Sequence, residues 1–214
     1  MPTSFGRIRL IRGRTPAVDE DACLLERLRS GDEAAFVTLV GRHGDSMLRL
    51  ARTFVSSHAV AEEVVQETWL AVLRGIDRFE GRSSLRTWLL TILVNRARST
   101  GVREARTIAS DEVVAAVDPS RFDANGAWSS PPEHWSEAVE NRIGAAALRD
   151  QIVATLAQMP VRQRAVVMLR DVDGLASDEV CAVLALTPAN ERVLLHRGRS
   201  RLRQALEDRV GANS

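Results

Sequence analysis

The chain has 214 residues, is 45% hydrophobic and only 4% aromatic, and carries a formal net charge of +1. That length holds one large domain or two small ones, and the scarcity of aromatic residues favours helices over strands. The near-zero charge excludes a uniformly basic nucleic-acid binder, but not one whose charges are segregated.

Every basic side chain other than histidine is an arginine, so any phosphate contact would be made by a guanidinium. Cys23 and Cys181 sit in no CxxC and near no histidine at ligand spacing; both are expected to be reduced, buried and apolar. No apolar run approaches the roughly 18 residues of a membrane span. Arg7, Arg9, Arg12 and Arg14 are followed by no apolar stretch, so the N-terminus is not a secretory signal. A cytoplasmic protein without membrane insertion is expected.

Residues 1–20 read as a disordered basic arm, with nucleic-acid contact by its arginines as the alternative. A helical period starts at Asp21, with Leu24, Leu25 and Leu28 facing inward, and stops at Ser30-Gly31. Asp32 is placed to cap the next helix, whose inward residues are Ala35, Phe36, Leu39 and Val40. Met47, Leu48, Leu50, Ala51 and Phe54 continue the pattern, and Gly41 and Gly44 predict a kink between the halves.

A helix over about 58–74 points Val60, Val64, Ala71 and Val72 at a core. Glu62 stacks on Gln66, and Glu63 on Glu67, each at i, i+4. No arginine at i+4 neutralises this rim, which leaves it available to a basic partner; a solvated face is the plain alternative. Then comes a polar loop of Phe79, Glu80, Gly81, Arg82, Ser83 and Ser84. In the helix after it, Leu85, Leu89 and Ile92 trace a buried stripe flanked by Trp88 and Leu93. Thr87, Thr91, Asn95 and Arg98 fall on another face. Such a line suits one strand of DNA, arginine to phosphate and Asn or Thr to base edges or sugars. An ordinary polar helix surface fits it equally well.

Periodicity fades over 104–142, an acidic linker with three prolines. Trp128 and Trp135 within it would either pin the linker to a domain or dock it on a partner. A second helical domain covers 143–208. Two helices broken at Met159-Pro160 precede LASDEVCAVLALTPANERVLLHRGRSRLRQAL. There Ser177 is expected to cap a short helix bearing Val180, Val183 and Leu184. After a tight turn, Thr187 caps the last helix and Pro188 takes its first position. This is the layout of a DNA-binding helix-turn-helix. Leu195, Leu202 and Leu206 form the buried stripe of the last helix, while Arg192, His196, Arg199 and Arg203 line a basic face. The four histidines are dispersed and no phosphate-binding loop is present, so nothing argues for catalysis, a metal or a cofactor.

With both halves in view, the chain resembles the extracytoplasmic-function (ECF) group of bacterial sigma-70 RNA polymerase sigma factors, from about residue 21 to 206. AEEVVQETWLAVLRGIDRFEGRSSLRTWLLTILVNRAR looks like the family's region 2, and LASDEVCAVLALTPANERVLLHRGRSRLR looks like its region 4. VVQE, the Phe-x-Gly-x-Ser loop, TWL and VNRAR follow in order at the expected spacing. The resemblance implies an all-α fold: a region 2 bundle over 21–103 and a region 4 helix-turn-helix over 143–208, joined by a flexible linker. It implies that Glu62, Glu63, Gln66 and Glu67 dock on the β′ clamp helices of core RNA polymerase, with the β flap as a further polymerase contact. Phe79, Arg82, Ser83, Ser84, Thr91, Asn95 and Arg98 would hold the −10 element of promoter DNA, the loop capturing a flipped base. Flipping costs a few kcal/mol of unstacking, so such a pocket helps to drive melting. Asn190, Arg192, Val193, His196, Arg197 and Arg199 would meet the −35 element. An anti-sigma factor, possibly membrane-anchored, is a further implied partner. Held by it, the two domains would pack around the inhibitor or on each other; free, they would separate.

The last helix departs from the family pattern. Ala185 stands where the turn often has Gly, and Ala189, Asn190 and Glu191 replace a common Gly-Thr-Val. Glu191 occupies an apolar core position, and Val193 and Leu194 replace a polar Ser and an Arg. Val193 would touch a thymine methyl, or the helix is rotated so that Leu194 enters the core. A sigma-like module that only sequesters a regulator is the alternative function; a plain helix-turn-helix repressor would leave residues 61–98 unexplained.

Overall fold

The computed structural model describes residues 16–108 and 145–212. The N-terminal arginines, most of the acidic linker, Trp128 and Trp135 lie outside the described residues.

The first helix, α1, spans Pro16–Arg29 and so begins five residues before the Asp21 expected from the apolar stripe. Pro16 opens it, where a fixed φ and a missing N–H cost nothing. Leu24 and Leu28 are buried as expected, whereas Cys23 is exposed and Cys181 only half-buried. Cys23 lies one residue before the buried Leu24, outside the inward i, i+4 line of Leu24 and Leu28. Helix α2, Glu33–Ala51, starts at the Asp32 cap. The Asp32 carboxylate accepts the amides of Ala34 and Ala35 at 2.9 and 3.2 Å and the Arg27 guanidinium at 2.8 Å. The Arg27 hydrogen bond, then that of Ala35, holds the Asp32 carboxyl below its usual range. Helix α2 runs unbroken through Gly41 and Gly44, so the two halves form one element.

Helix α3, His58–Gly75, and helix α4, Leu85–Ile108, pack on each other and on α2. Their shared core holds Leu39, Met47, Leu50, Val64, Val72, Leu89 and Leu93, each no more than 2% exposed. Leu85 and Leu89 keep the expected stripe, but Leu90, Leu93 and Val94 replace Ile92, which is half-buried. Gly101 allows α4 to cross the end of the α2 segment, where a Cβ would stand 2.2 Å from the Phe54 carbonyl oxygen. Helix α4 also runs past Glu104, the expected start of the linker. Glu104 accepts the backbone N–H and the hydroxyl of Ser56 at 3.1 and 2.9 Å.

The C-terminal part comprises α5, Ala145–Gln158, α6, Val161–Val167, α7, Ser177–Leu184, and α8, Pro188–Ala212. A wider helical turn, Met168–Val172, extends α6. Thr187 caps α8 through the Asn190 amide at 3.3 Å, as expected. Ser177 does not cap α7. The cap position is Ala176, whose N–H is taken by Glu179 at 3.0 Å, which leaves the Ser177 hydroxyl free to donate elsewhere.

Between α7 and α8 the chain turns on Ala185, at φ 53°. A side chain there costs about 1–2 kcal/mol relative to glycine, because Cβ approaches the following carbonyl. Glycine loses part of that gain to its greater freedom when unfolded. We therefore expect Ala185→Gly to stabilise the chain by about 1 kcal/mol and raise its melting temperature by several degrees. An unchanged or lower melting temperature would contradict the left-handed turn.

The two halves are not separate bodies. Helix α4 packs against α7, and one cluster of buried apolar residues runs from Leu24 through Leu93 to Leu195. The expectation that the halves separate in the chain alone does not hold in this structure. The physical reason is the apolar seam between α4 and α7, reinforced by polar contacts along α4.

Candidate functional site

The acidic rim lies on α3. Glu62, Glu63, Gln66 and Glu67 are exposed, and so are Leu70 and Leu73 further along the helix, at 52% and 47%. The rim is less open than its own helix suggests. Arg96 on α4 donates to Glu67 at 2.9 Å, and His58 lies 3.3 Å from Glu62, an ion pair only when the imidazole is protonated. Sequence spacing along α3 could not show the Arg96 pair, because its partner arrives from another helix.

The polar loop and α4 carry the −10 candidates. Phe79 does not line an open loop. It is 8% exposed, its ring lies 5.0 Å from that of Trp88, and its carbonyl accepts Arg29 at 2.6 Å. A phenyl ring beside an indole and the bundle core gains more from burial than from solvent, so Phe79 anchors the loop. Arg82 and Ser83 are exposed, Arg82 pairing with Glu80 at 3.1 Å. Asn95 is exposed and Thr91 half-buried, its hydroxyl bonded to the Thr87 carbonyl at 2.8 Å.

Ser84 and Arg98 are already engaged by the other half. The Ser84 hydroxyl donates to Glu179 at 3.1 Å, as does that of Thr87 at 3.0 Å. Arg98 donates to the Leu184 carbonyl at 2.9 Å and lies over the Phe54 ring, 5.7 Å from its centre. Burial, with the Arg162 charge adding to it, lowers the Arg98 guanidinium from its usual value. Each residue therefore already spends a donor on the C-terminal half.

On α8, Asn190, Arg192, Val193 and Arg197 are exposed. His196 is half-buried. Val193 is 40% exposed while Leu194 packs against the core. Both alternatives are therefore partly met: Leu194 turns inward and Val193 stays outside. Arg199 is held in a two-point pair by Asp171, at 3.0 and 2.5 Å, which raises its guanidinium from the usual value. The basic face is thus shorter than the arginine count implies.

Glu191 fills its apolar position as a buried ion. It is 3% exposed, accepts Ser177 at 2.9 Å, and lies 3.3 Å from Arg170 Nε. Arg170 also donates to the Leu175 carbonyl at 2.7 Å. One carboxylate therefore ties the turn after α6 and the starts of α7 and α8. Gly198 sets the approach of α8 to α6, where a Cβ would meet Val167 at 2.4 Å.

Sequence reasoning missed a contact centred on Asp173. Its side chain is 2% exposed and accepts Ser46 at 2.8 Å and Arg49 at 3.1 Å, with Arg86 at 3.8 Å. Arg86 also donates to the Asp173 carbonyl at 2.7 Å. Nothing local in the sequence pairs Asp173 with residues 87 to 127 positions away.

Among the described residues, no group of His, Cys, Asp or Glu could hold a metal ion, and no helix is long and apolar enough to cross a membrane. The sigma-70 region 2 family model matches residues 39–107, and the sigma-70 region 4 model matches residues 149–202. The chain is 31% identical over 193 residues to the ECF RNA polymerase sigma-E factor of Salmonella typhimurium, covering 89% of this chain and 94% of that one. It is 30% identical to the RNA polymerase sigma-H factor of Pseudomonas aeruginosa, covering 88% and 95%. The fold is similar to that of CnrH in complex with the cytosolic domain of CnrY, with a TM-score of 0.59 at 24% identity, covering 89% and 99%. It is also similar to the sigma factor RpoE of Bartonella quintana in complex with the anti-sigma factor NepR, with a TM-score of 0.58 at 23% identity, covering 80% and 96%.

Proposed function

The chain belongs to the ECF group of the sigma-70 family of RNA polymerase sigma factors, which direct core polymerase to promoters, and from that premise we propose how its residues divide the work. Residues 21–103 dock on polymerase and read the −10 element, residues 143–208 read the −35 element, and 104–142 link them. On α3, Glu62, Glu63, Gln66 and Glu67 meet the β′ clamp helices, with Leu70 and Leu73 adding apolar area to the same exposed surface. The β flap is the second polymerase contact. Arg82, Ser83, Ser84, Thr91, Asn95 and Arg98 meet the −10 strand, and Phe79 braces the loop from beneath. Asn190, Arg192, Val193, His196 and Arg197 meet the −35 element, with Arg199 joining them only if it leaves Asp171. The protein acts in the cytoplasm, has no catalytic activity of its own, and is held in reserve by an anti-sigma factor.

The observation that carries this reading is Asn95. It stands exposed on α4, the helix that also supplies Arg96 to the acidic rim. Run-off transcription tests the reading: purified chain is added to core polymerase with a library of promoters. Promoter-specific initiation is expected, and none from a folded chain would sink it. On promoters so identified, Asn95→Ala is expected to reduce open complexes by about 10- to 100-fold, as for loss of one good base contact. Closed complexes should change much less. Equal loss of both, measured by gel shift and permanganate reactivity, would remove Asn95 from strand capture.

A further inference from the structure

Resting on the reading of α8 as the −35 helix, we propose that Val193 is a specificity-determining residue, its isopropyl group reading the C5-methyl of a thymine in the −35 element. Val193 stands where a polar serine is common in the family, so this contact is a property of this chain.

The packing of α8 turns Val193 outward. Leu195 and Leu206 are 8% and 6% exposed, and Leu194 and Leu202 pack against the core. Glu191 is drawn beneath the helix by Ser177 and Arg170. Val193 precedes Leu202 by about two and a half turns and so lies on the opposite side of α8. Its 40% exposure follows from that placement. Asn190 and Arg197 flank it at i−3 and i+4, so the three side chains share one face. All three are exposed, and among the described residues neither the Asn190 side-chain amide nor the Arg197 guanidinium has a partner.

This row joins three kinds of base contact. Asparagine matches the N6 and N7 edge of adenine, arginine matches O6 and N7 of guanine, and the one methyl that the major groove offers belongs to thymine. Opposite a purine edge, an isopropyl group would displace water from polar atoms without replacing their hydrogen bonds. Opposite thymine it covers a methyl and is itself covered. From Asn190 to Arg197 the helix rises about 10 Å, or about three base-pair steps. The three side chains therefore reach neighbouring base pairs, with Val193 between the two polar readers.

The full-length chain with core polymerase is tested on promoters that it uses in run-off transcription. Each thymine of the −35 element, on either strand, is replaced in turn by deoxyuridine, which keeps every hydrogen-bonding edge and lacks only the methyl. At one position, wild-type binding measured by gel shift at fixed salt should weaken about fourfold, the effect of burying one methyl. Val193→Ser should lose about fourfold on the thymine template and nothing more on the uracil template. Val193→Thr keeps one methyl and should retain part of the preference. Circular dichroism confirms that the helices persist. A wild type that ignores every uracil, a −35 element without an A·T pair, or a full thymine preference in Val193→Ser would each overturn the proposal. Absence of promoter-specific initiation would instead overturn the −35 reading, and the proposal with it.

Discussion

Gly101→Ala is expected to melt well below the wild type, although alanine is the better helix former. In α4 a Cβ at this position would lie 2.2 Å from the Phe54 carbonyl oxygen and 3.4 Å from its carbon, both backbone atoms. A backbone cannot yield as a flexible side chain does, so α4 or the end of the α2 segment must shift. Such overpacking costs about 1–3 kcal/mol and occasionally more. The helix-propensity gain of alanine over glycine is about 1 kcal/mol. With the contact made to backbone, the steric term should dominate and leave a net loss of about 2 kcal/mol. For a body of this size that is a fall of roughly 4–8 °C. Gly41→Ala is the matched control: a Cβ there meets nothing within 4 Å, so propensity acts alone and the variant should gain up to about 1 kcal/mol. The two melting temperatures should move in opposite directions. If both rise, the close crossing of α4 over Phe54 is wrong.

Glu191→Ala is expected to cost about 2–4 kcal/mol and to weaken −35 binding as well. Removing one partner of a buried ion pair strands the other, which typically costs about 3–5 kcal/mol. Arg170 keeps 27% of its side-chain surface and its bond to Leu175, so the loss should fall at the lower end. Glu191→Val, which restores the apolar residue common in the family, separates burial from orientation. If Glu191 only fills space, the valine variant should match wild type in both melting temperature and −35 footprint at fixed salt. If the carboxylate sets the angle of α8, the footprint should weaken even where stability recovers. The double variant Glu191→Val/Arg170→Leu, with no stranded charge, should be more stable than Glu191→Val alone.

The helices were legible because their signals are local. The Asp32 cap, the Thr187-Pro188 start of α8 and the stripe of Leu195, Leu202 and Leu206 each depend on residues within a few turns. The errors also have local causes. Ser177 looked like a cap because its alternative use, Glu191, lies fourteen positions on. Phe79 looked like a loop residue because neighbouring polar residues hid its packing on Trp88. The candidate site was legible as a set of residue types but not as a state of contact. Arg98 and Arg199 carry the right chemistry, yet Leu184 and Asp171 hold them, and these pairings depend on how the halves meet. Charge counting overstates a binding face whenever a guanidinium has an internal partner.

The Arg96–Glu67 pair has one more implication, a thermodynamic one. Arg96 adjoins Asn95, so a ligand that claims Glu67 releases a cation next to the residue assigned to DNA. Any such effect is reciprocal: if polymerase on α3 favours the strand on α4, the strand favours polymerase to the same degree. The pair is partly exposed, at 36% and 47%, and pairs of this kind contribute at most about 1 kcal/mol. That bounds the cooperativity passing through it to roughly fivefold, a bias on the order of assembly rather than a switch.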